Sequence, residues 1–341
     1  MKAQRVYALN RGASEFFDIR EVELPEPAAG QARVRVEAAG VSYGDLLLQR
    51  GVIPGGPKPP FVPGFDLVGV VESVGPGVVG LAAGDRVAAL VREGGYSTAL
   101  NVPAERLVPV PDGVDPTQAA AVTLNYFIAH QMLHRVADVR GGHRILVHGA
   151  SGGVGLAFLQ LAGLIGDVTV WGTASAGNAD LLRAAGASPI DYRGEDFVAV
   201  VKAAGANLRA VFDPMGGTHF WRSYSVLGRG GYLVGYGQSK ALRDGRRDMR
   251  VGALGFLGGI IAPKLLPDGR QTVFYNAWAL ERSQPAAYRE DLAQVLRLLA
   301  EGRIAPRAVT ALPLAEAERV VRELAAPAGA SGGKFVLTGR G

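Results

Sequence analysis

The chain contains no cysteine. That absence removes disulfides, thiolate zinc sites and cysteine nucleophiles together, so any metal would need His, Asp or Glu ligands. Histidine is scarce as well. His130, His134, His143, His148 and His219 show no metal-ligand spacing along the sequence and read as surface or hydrogen-bonded core residues. Long apolar runs are missing too. The best candidate, VGALGFLGGIIAP after Arg250, is short for a bilayer span, contains glycines and a proline, and reads as a buried or interface segment, so membrane contact is not expected. The stretch MKAQRVYALNRGASEFF has no apolar core between its charges, which argues against a secretory signal and for a cytoplasmic protein. Charge is not concentrated either. The net charge of +5 comes from arginines spread along the chain, and the one cluster, residues 243–250, also carries Asp244 and Asp248; nucleic acid is not an expected partner.

What is present is an enzyme-like composition. With 341 residues, 48% hydrophobic and 20% charged, the chain can bury a large core in one or two domains. The first 125 residues are rich in β-branched runs punctuated by Gly and Pro. QARVRVEAAGVS at 31–42 alternates apolar and polar residues, LVGVVESVG at 67–75 and DRVAALV at 85–91 are similar, and this half is expected to be mostly antiparallel β. From about residue 126 helix and strand alternate. Strands are expected at Arg144–His148, Val168–Thr173, Pro189–Asp191, Ala210–Pro214, Tyr232–Gly237 and Thr272–Tyr275, with helices at 154–166, 178–187 and 195–205 between several of them. Short apolar strands separated by helices imply a parallel sheet covered on both faces. The tail holds helices at 289–302 and Leu314–Ala325 and a last strand at 334–339.

The stretch RILVHGASGGVG at 144–155 sits where a strand gives way to an apolar helix. Gly149, Gly152 and Gly155 are three apart: the first permits a tight turn, the second lets backbone approach a pyrophosphate, and the third lets helix pack on strand. The phosphates then meet the free N–H groups of the helix N-terminus, so Ser151, Gly153 and Val154 join the candidate set. At the end of the second strand an acid would bond the adenosine ribose and repel a 2′-phosphate. This chain has Gly172-Thr173-Ala174-Ser175 there and no carboxylate before Asp180, which favours NADP(H).

GVSYGDLLLQRG at 40–51, PGFDLVGVVESVGPGV at 63–78, the glycine loop, VFDPMGG at 211–217 and GGKFVLT at 332–338 together resemble the medium-chain dehydrogenase/reductase superfamily over nearly the whole chain. The fold this implies is α/β: a GroES-like β-rich catalytic domain at 1–125, a Rossmann doubly wound NADP(H)-binding domain at 126–278, and a return of 279–341 to the catalytic domain, which holds substrate over the nicotinamide. The zinc alcohol dehydrogenases of the superfamily carry a cysteine where this chain has Ser42, and Gly-His-Glu where it has Gly64-Phe65-Asp66. The four-cysteine structural lobe is missing as well. Hydroxyl and phenyl groups do not replace thiolate and imidazole as zinc ligands. The chain is instead similar to the zinc-free quinone oxidoreductase branch. NYFIAHQML at 125–133, VWGTASAG at 170–177 and PIDYRGEDF at 189–197 are similar to the group that includes the vesicle amine transport protein 1 homologues.

The resemblance implies NADPH-dependent reduction of a quinone or an α,β-unsaturated carbonyl, substrates that accept hydride without a metal because the developing anion is delocalised. The alternatives are a pathway-specific reductase of an enoyl or biosynthetic intermediate, and a cofactor-binding protein with little catalysis, which the apolar 251–263 segment motivates. Enoyl thioester reductases use a tyrosine near the place of Ile53, so Tyr43 is the nearest phenol left as proton donor, with Ser42 beside it; Asp45 and Asp66 read as structural. The resemblance also places Thr123 and Asn125 beside the nicotinamide, and Ser175, Asn178 and Tyr192 toward the adenosine phosphate, Asn178 standing where a lysine is usual; Thr173 joins the cofactor-binding candidates. It places Gly235 and Tyr236 at the fifth strand, Phe274 and Asn276 over the nicotinamide, and Lys334 close to the cofactor. It further implies a homodimer joined through the sheet edge near Thr272–Tyr275. Pocket walls are expected from 53–61 and 251–266.

Overall fold

A computed structural model describes residues 1–10, 17–53, 55–243, 246–325 and 333–339. Pro54, Asp244, Gly245 and Gly332, each part of a stretch singled out above, lie outside the described residues. The chain divides into two compact units, one of Met1–Phe127 with Gln284–Gly341 and one of Ile128–Ser283.

In the first unit the strand Gln31–Gly40 is the organising element. It pairs antiparallel with Asp66–Val74, Ala99–Pro103 and Lys334–Thr338, within a seven-stranded sheet that also contains Arg86–Leu90, Val108–Pro109 and Val309–Pro313. Its alternation carries the core: Val34, Val36, Leu67, Val71, Val87 and Tyr96 pack with Val320, Val321 and Leu337 from the tail, so the C-terminal residues complete this unit. The tail strand Val309–Pro313 runs parallel to Lys334–Thr338, and the helix Ala317–Ala325 lies in the crossover that parallel pairing requires. The front half, expected to be mostly antiparallel β, also holds the helices Tyr43–Gln49 and Pro116–Thr123. Pro116–Thr123 has Asp115 as its N-cap, proline at its start and a buried run Ala119–Thr123; so short an apolar run carries no periodicity that separates helix from strand.

The second unit is a six-stranded parallel sheet in the order Ala187–Asp191, Thr169–Ala174, Arg144–Val147, Leu208–Asp213, Leu227–Gly235, Gln271–Phe274. All six expected strands are present with ends shifted by a few residues. The order reverses between Arg144–Val147 and Leu208–Asp213, the topological switch point beside which such sheets bind ligands, outside the carboxyl ends of the strands. The apolar 251–263 segment is helical from Met249 to Phe256 and continues as a wider turn, Leu257–Ile261. Gly259, Ile260 and Pro263 are buried, but Leu254, Leu257, Ile261 and Leu265 are exposed, so the segment is buried along one face only. Among the described residues no helix is long and apolar enough to cross a membrane.

Candidate functional site

In the second unit, strand Arg144–Val147 runs through His148 into Gly149, whose φ of +66° is the left-handed turn that glycine adopts without strain. Helix Gly153–Ile165 follows. Its N-cap, Gly152, brings no side chain to cap it, and the first helical bond is Leu156 N–H to Gly152 O. The N–H groups of Gly153, Val154 and Gly155 therefore have no intrahelical acceptor and point out of the helix end. A Cβ on Gly155 would lie 2.4 Å from Gly149 O and 2.6 Å from Ala150 C, so helix and turn meet here backbone to backbone. Ser151 is half-buried on the turn.

At the end of strand Thr169–Ala174 a cavity of about 210 Å³ is lined by Ser175, Arg183, Asp191 and Glu195 among others. Asn178 donates to Ser175 Oγ at 3.1 Å, and Tyr192, largely exposed, has the Arg193 guanidinium over its ring. Neither Asn178 nor Tyr192 lines the cavity; Arg183, Asp191 and Glu195, which sequence reading passed over, do. Arg183 is held by Asp180 at 2.7 Å on the exposed side. Gly235 is fixed by packing, since a Cβ there would sit 2.7 Å from the Phe220 ring. Burial, then nearby Asp213, push the Tyr236 phenol up. Phe274 packs edge-on against Phe256 and Phe220, and Asn276, exposed, accepts from Trp278 and Ala279 N–H at the start of helix Ala277–Ser283.

Behind the glycine turn lies a buried polar cluster that the sequence spacing did not reveal. Asp213 Oδ2 lies 2.7 Å from His219 Nδ1 and 2.6 Å from Ser223 Oγ, while Oδ1 accepts from Met215 and Gly216 N–H. Ser223 Oγ is 3.2 Å from His148 Nε2, and His148 Nδ1 is 3.1 Å from Thr173 Oγ1. Burial lowers the His148 pKa to about 3; the hydrogen bonds from His219 and Ser223, with the neighbouring histidines, outweigh burial at Asp213 and hold it at about 2. One ligand atom from each of His148, Asp213 and His219 falls within 4.8 Å of the others. Both His148 nitrogens and both Asp213 oxygens already have protein partners, so the set is satisfied as a hydrogen-bonded cluster.

In the first unit Ser42 caps helix Tyr43–Gln49: its hydroxyl and its N–H both reach Asp45 Oδ2, at 2.7 and 2.8 Å, and Asp45 Oδ1 accepts from Gly64 N–H. The Ser42 proton is thus committed to Asp45. Tyr43, the first helical residue, is 43% exposed, and burial of the rest of its ring raises its phenol pKa. Asp66 is fully buried, accepts from Gly40 N–H at 2.5 Å, and has its other oxygen unpartnered; burial pushes its pKa up to about 7 against the pull of Lys334. Lys334 donates to Val41 O at 2.9 Å, and burial lowers its ammonium pKa against the opposing pull of Asp66 and Asp45. Thr123, fully buried, donates to Ala119 O, and Asn125 is 7% exposed.

Residues 28–112 match the alcohol dehydrogenase GroES-like domain and residues 185–337 the zinc-binding dehydrogenase family. The synaptic vesicle membrane protein VAT-1 homolog of Rattus norvegicus is 33% identical over 304 residues, 88% of this chain and 75% of that protein. The Escherichia coli quinone oxidoreductase complexed with NADPH superposes with a TM-score of 0.84 at 27% identity over 98% of this chain and 99% of that one. The chain belongs to the quinone oxidoreductase branch of the medium-chain dehydrogenase/reductase superfamily. Its fold is the GroES-like β-rich domain and Rossmann-type parallel sheet of that branch. A segment of the pikromycin polyketide synthase component PikAII of Streptomyces venezuelae is 34% identical over 93% of this chain, which spans 8% of that protein.

One matched family is described as zinc-binding, and the residues here do not fit that metal. At the family's ligand positions the Ser42 hydroxyl is engaged with Asp45, Phe65 offers no donor, and Asp66 is turned to the Gly40 N–H. With no cysteine anywhere in the sequence, a thiolate zinc site has no sulfur ligands to assemble from. The glycine turn, by contrast, fits a dinucleotide: a switch-point position, an uncapped helix N-terminus and a close backbone approach coincide.

Proposed function

We propose that the protein is a zinc-independent, NADPH-dependent reductase that transfers hydride to a quinone or an α,β-unsaturated carbonyl. The observation that carries this reading is the uncapped N-terminus of helix Gly153–Ile165 at the switch point of a chain whose Ser42 and Phe65 offer no zinc ligand. When bound, NADPH supplies the hydride. In the second unit the N–H groups of Gly153, Val154 and Gly155, with Ser151, would hold the pyrophosphate; Ser175, Asn178, Tyr192 and the cavity's Arg183 would meet the adenosine phosphate; Gly235, Tyr236, Phe274 and Asn276 would shape the nicotinamide's surroundings. Tyr43, a phenol protonated at neutral pH whose pKa partial burial raises further, donates its proton to the substrate oxygen as negative charge develops there. Lys334 is given a charge-balancing role beside Asp45 and Asp66. Steady-state assays with a quinone, an enone and an enoyl thioester are expected to show NADPH oxidation with the first two, unchanged after prolonged chelation. Turnover restricted to the thioester would favour the polyketide-type reading, and loss of activity on chelation would overturn zinc independence.

Cofactor preference follows from the cavity at the second strand. No acid ends that strand, but Asp191 and Glu195 line the cavity opposite Arg183, so NADPH is expected to bind tighter than NADH by only about ten-fold, about 1.4 kcal/mol. Asn178→Lys adds a cation beside Ser175 and is expected to tighten NADPH while leaving NADH nearly unchanged, as read by fluorescence titration. An equal shift for both cofactors would move the 2′-phosphate away from this corner.

A homodimer is part of the same proposal. Among the described residues strand Gln271–Phe274 is one of the two edges of the sheet, and Thr272 ties it to Ile260 of the segment that exposes Leu257 and Ile261. A second copy covers both the unpaired edge and the apolar stripe. Light scattering at micromolar concentration is expected to give twice the chain mass; the single-chain mass would remove the dimer.

A further inference from the structure

The cluster behind the glycine turn allows only one arrangement of its protons. Ser223 Oγ lies closest to Asp213 Oδ2, at 2.6 Å, and its single proton goes to that carboxylate. Its lone pair therefore faces His148 Nε2 at 3.2 Å, and that contact is a hydrogen bond only if Nε2 carries the proton. Full burial keeps the imidazole from holding a second proton, so Nδ1 is bare and accepts from the Thr173 hydroxyl at 3.1 Å. Thr173 Oγ1 in turn accepts from Gly149 N–H at 3.2 Å. Two hydroxyls each accept once and donate once, and every bond points the same way: Gly149 N–H to Thr173, Thr173 to His148, His148 to Ser223, Ser223 to Asp213. The carboxylate closes the chain, with His219 Nδ1–H as a further donor on Oδ2 and Met215 N–H on Oδ1. Such unidirectional chains strengthen one another in a low-dielectric interior.

We infer that His148, as the neutral Nε2–H tautomer, is a positioning residue that ties the Gly149 turn to the Asp213–Gly216 loop, the two loops that flank the switch point. The Gly149 N–H is thereby turned inward to Thr173, and the anion-facing donors are left to the helix end, Gly153 to Gly155. His148 and Ser223 touch no ligand in this scheme; they set where the turn stands. The phosphate at this turn rests on the function proposed above, whereas the proton order does not.

The test has two arms. Long-range ¹H–¹⁵N spectra of protein labelled only at its five histidines are expected to show one imidazole as a neutral Nε2–H tautomer that does not titrate between pH 8 and pH 5 and is lost in His148→Asn. In the second arm Thr173→Val removes the hydroxyl at constant shape and is expected to raise the NADPH dissociation constant about ten-fold, because the Gly149 N–H and the buried His148 Nδ1 both lose their partner. Thr173→Ser, which restores the hydroxyl, is expected to stay within about two-fold of the parent. An Nδ1–H tautomer or an imidazolium at His148 would overturn the inference, and so would Thr173→Val binding NADPH like Thr173→Ser. A protein that binds no NADPH at all would remove the proposed function, and the spectra would still decide the proton order.

Discussion

Asp66→Asn is expected to stabilise the protein at pH 8 relative to pH 5 by roughly 2–3 kcal/mol when each is referred to the parent at the same pH. The sign follows from the carboxyl's folded-state pKa of about 7, raised above an unfolded value near 3.8 chiefly by burial. Between those values the folded protein holds a proton that the unfolded chain releases, so stability falls as pH rises and the loss is complete above pH 7. Asparagine keeps the acceptor for Gly40 N–H and carries no charge. His148 acts in the opposite sense. Its folded pKa of about 3 lies below an unfolded value of 6.5, so the unfolded chain takes up the proton first and stability falls as pH drops from 6.5 toward 3, by about 5 kcal/mol in full. Where both units unfold together, the two slopes oppose each other between about pH 4 and 6.5 and the parent profile is nearly flat. Asp66→Asn removes the Asp66 part of the slope that opposes the histidine, so the variant is expected to lose more stability on acidification than the parent does. Urea unfolding at pH 5, 6.5 and 8 measures this directly. A constant difference between parent and variant at all three values would mean that Asp66 is ionised throughout.

The features legible in the sequence were those encoded locally. The strand before Gly149 and the apolar helix after it gave the glycine turn its place, and alternation of short apolar strands with helices gave the parallel sheet. Features that depend on chain segments meeting in space were not legible. Asp213, His219 and Ser223 are separated by steps of six and four residues, and they converge only because Gly216 and Gly217, with φ of +74° and +61°, fold the chain back before helix His219–Tyr224. His148 joins them from a strand 65 positions earlier, through parallel pairing of Val147 with Phe212. No acid directly follows the second strand along the chain, whereas the pairing of Asp191 with Ala174 brings the third strand's carboxylate to the same cavity. The composition of the 251–263 run fits a buried or an interface segment alike, and it does not say which face of a helix finds a neighbour. The helix Tyr43–Gln49 was masked by its setting among strands, although Ser42 and Asp45 form the reciprocal cap that marks a helix start.

The glycines of the turn are expected to fail in different ways when each is replaced by alanine. At Gly155 the added Cβ meets Gly149 O at 2.4 Å and Ala150 backbone at 2.6 Å, and neither neighbour is a side chain that can rotate aside. Helix and turn must separate, which costs about 3 kcal/mol and lowers the melting temperature by roughly 5–10 °C. At Gly152 the backbone, with φ of −79° and ψ of 171°, suits any residue, and the nearest atom to the new Cβ is Gly149 O at 3.3 Å, so the fold adjusts by a few tenths of an ångström. Its stability is expected to stay within about 1 kcal/mol of the parent. The methyl nevertheless stands where the chain must approach the pyrophosphate, so NADPH binding in Gly152→Ala is expected to weaken at least about ten-fold, a loss of 1.4 kcal/mol or more. Thermal unfolding and NADPH titration of the two variants side by side separate the roles: Gly155→Ala loses stability, Gly152→Ala loses affinity at nearly unchanged melting temperature. Parental affinity in Gly152→Ala would place the pyrophosphate elsewhere than over this turn, and an unchanged melting temperature in Gly155→Ala would mean that the close contact between helix and turn is not fixed by the fold.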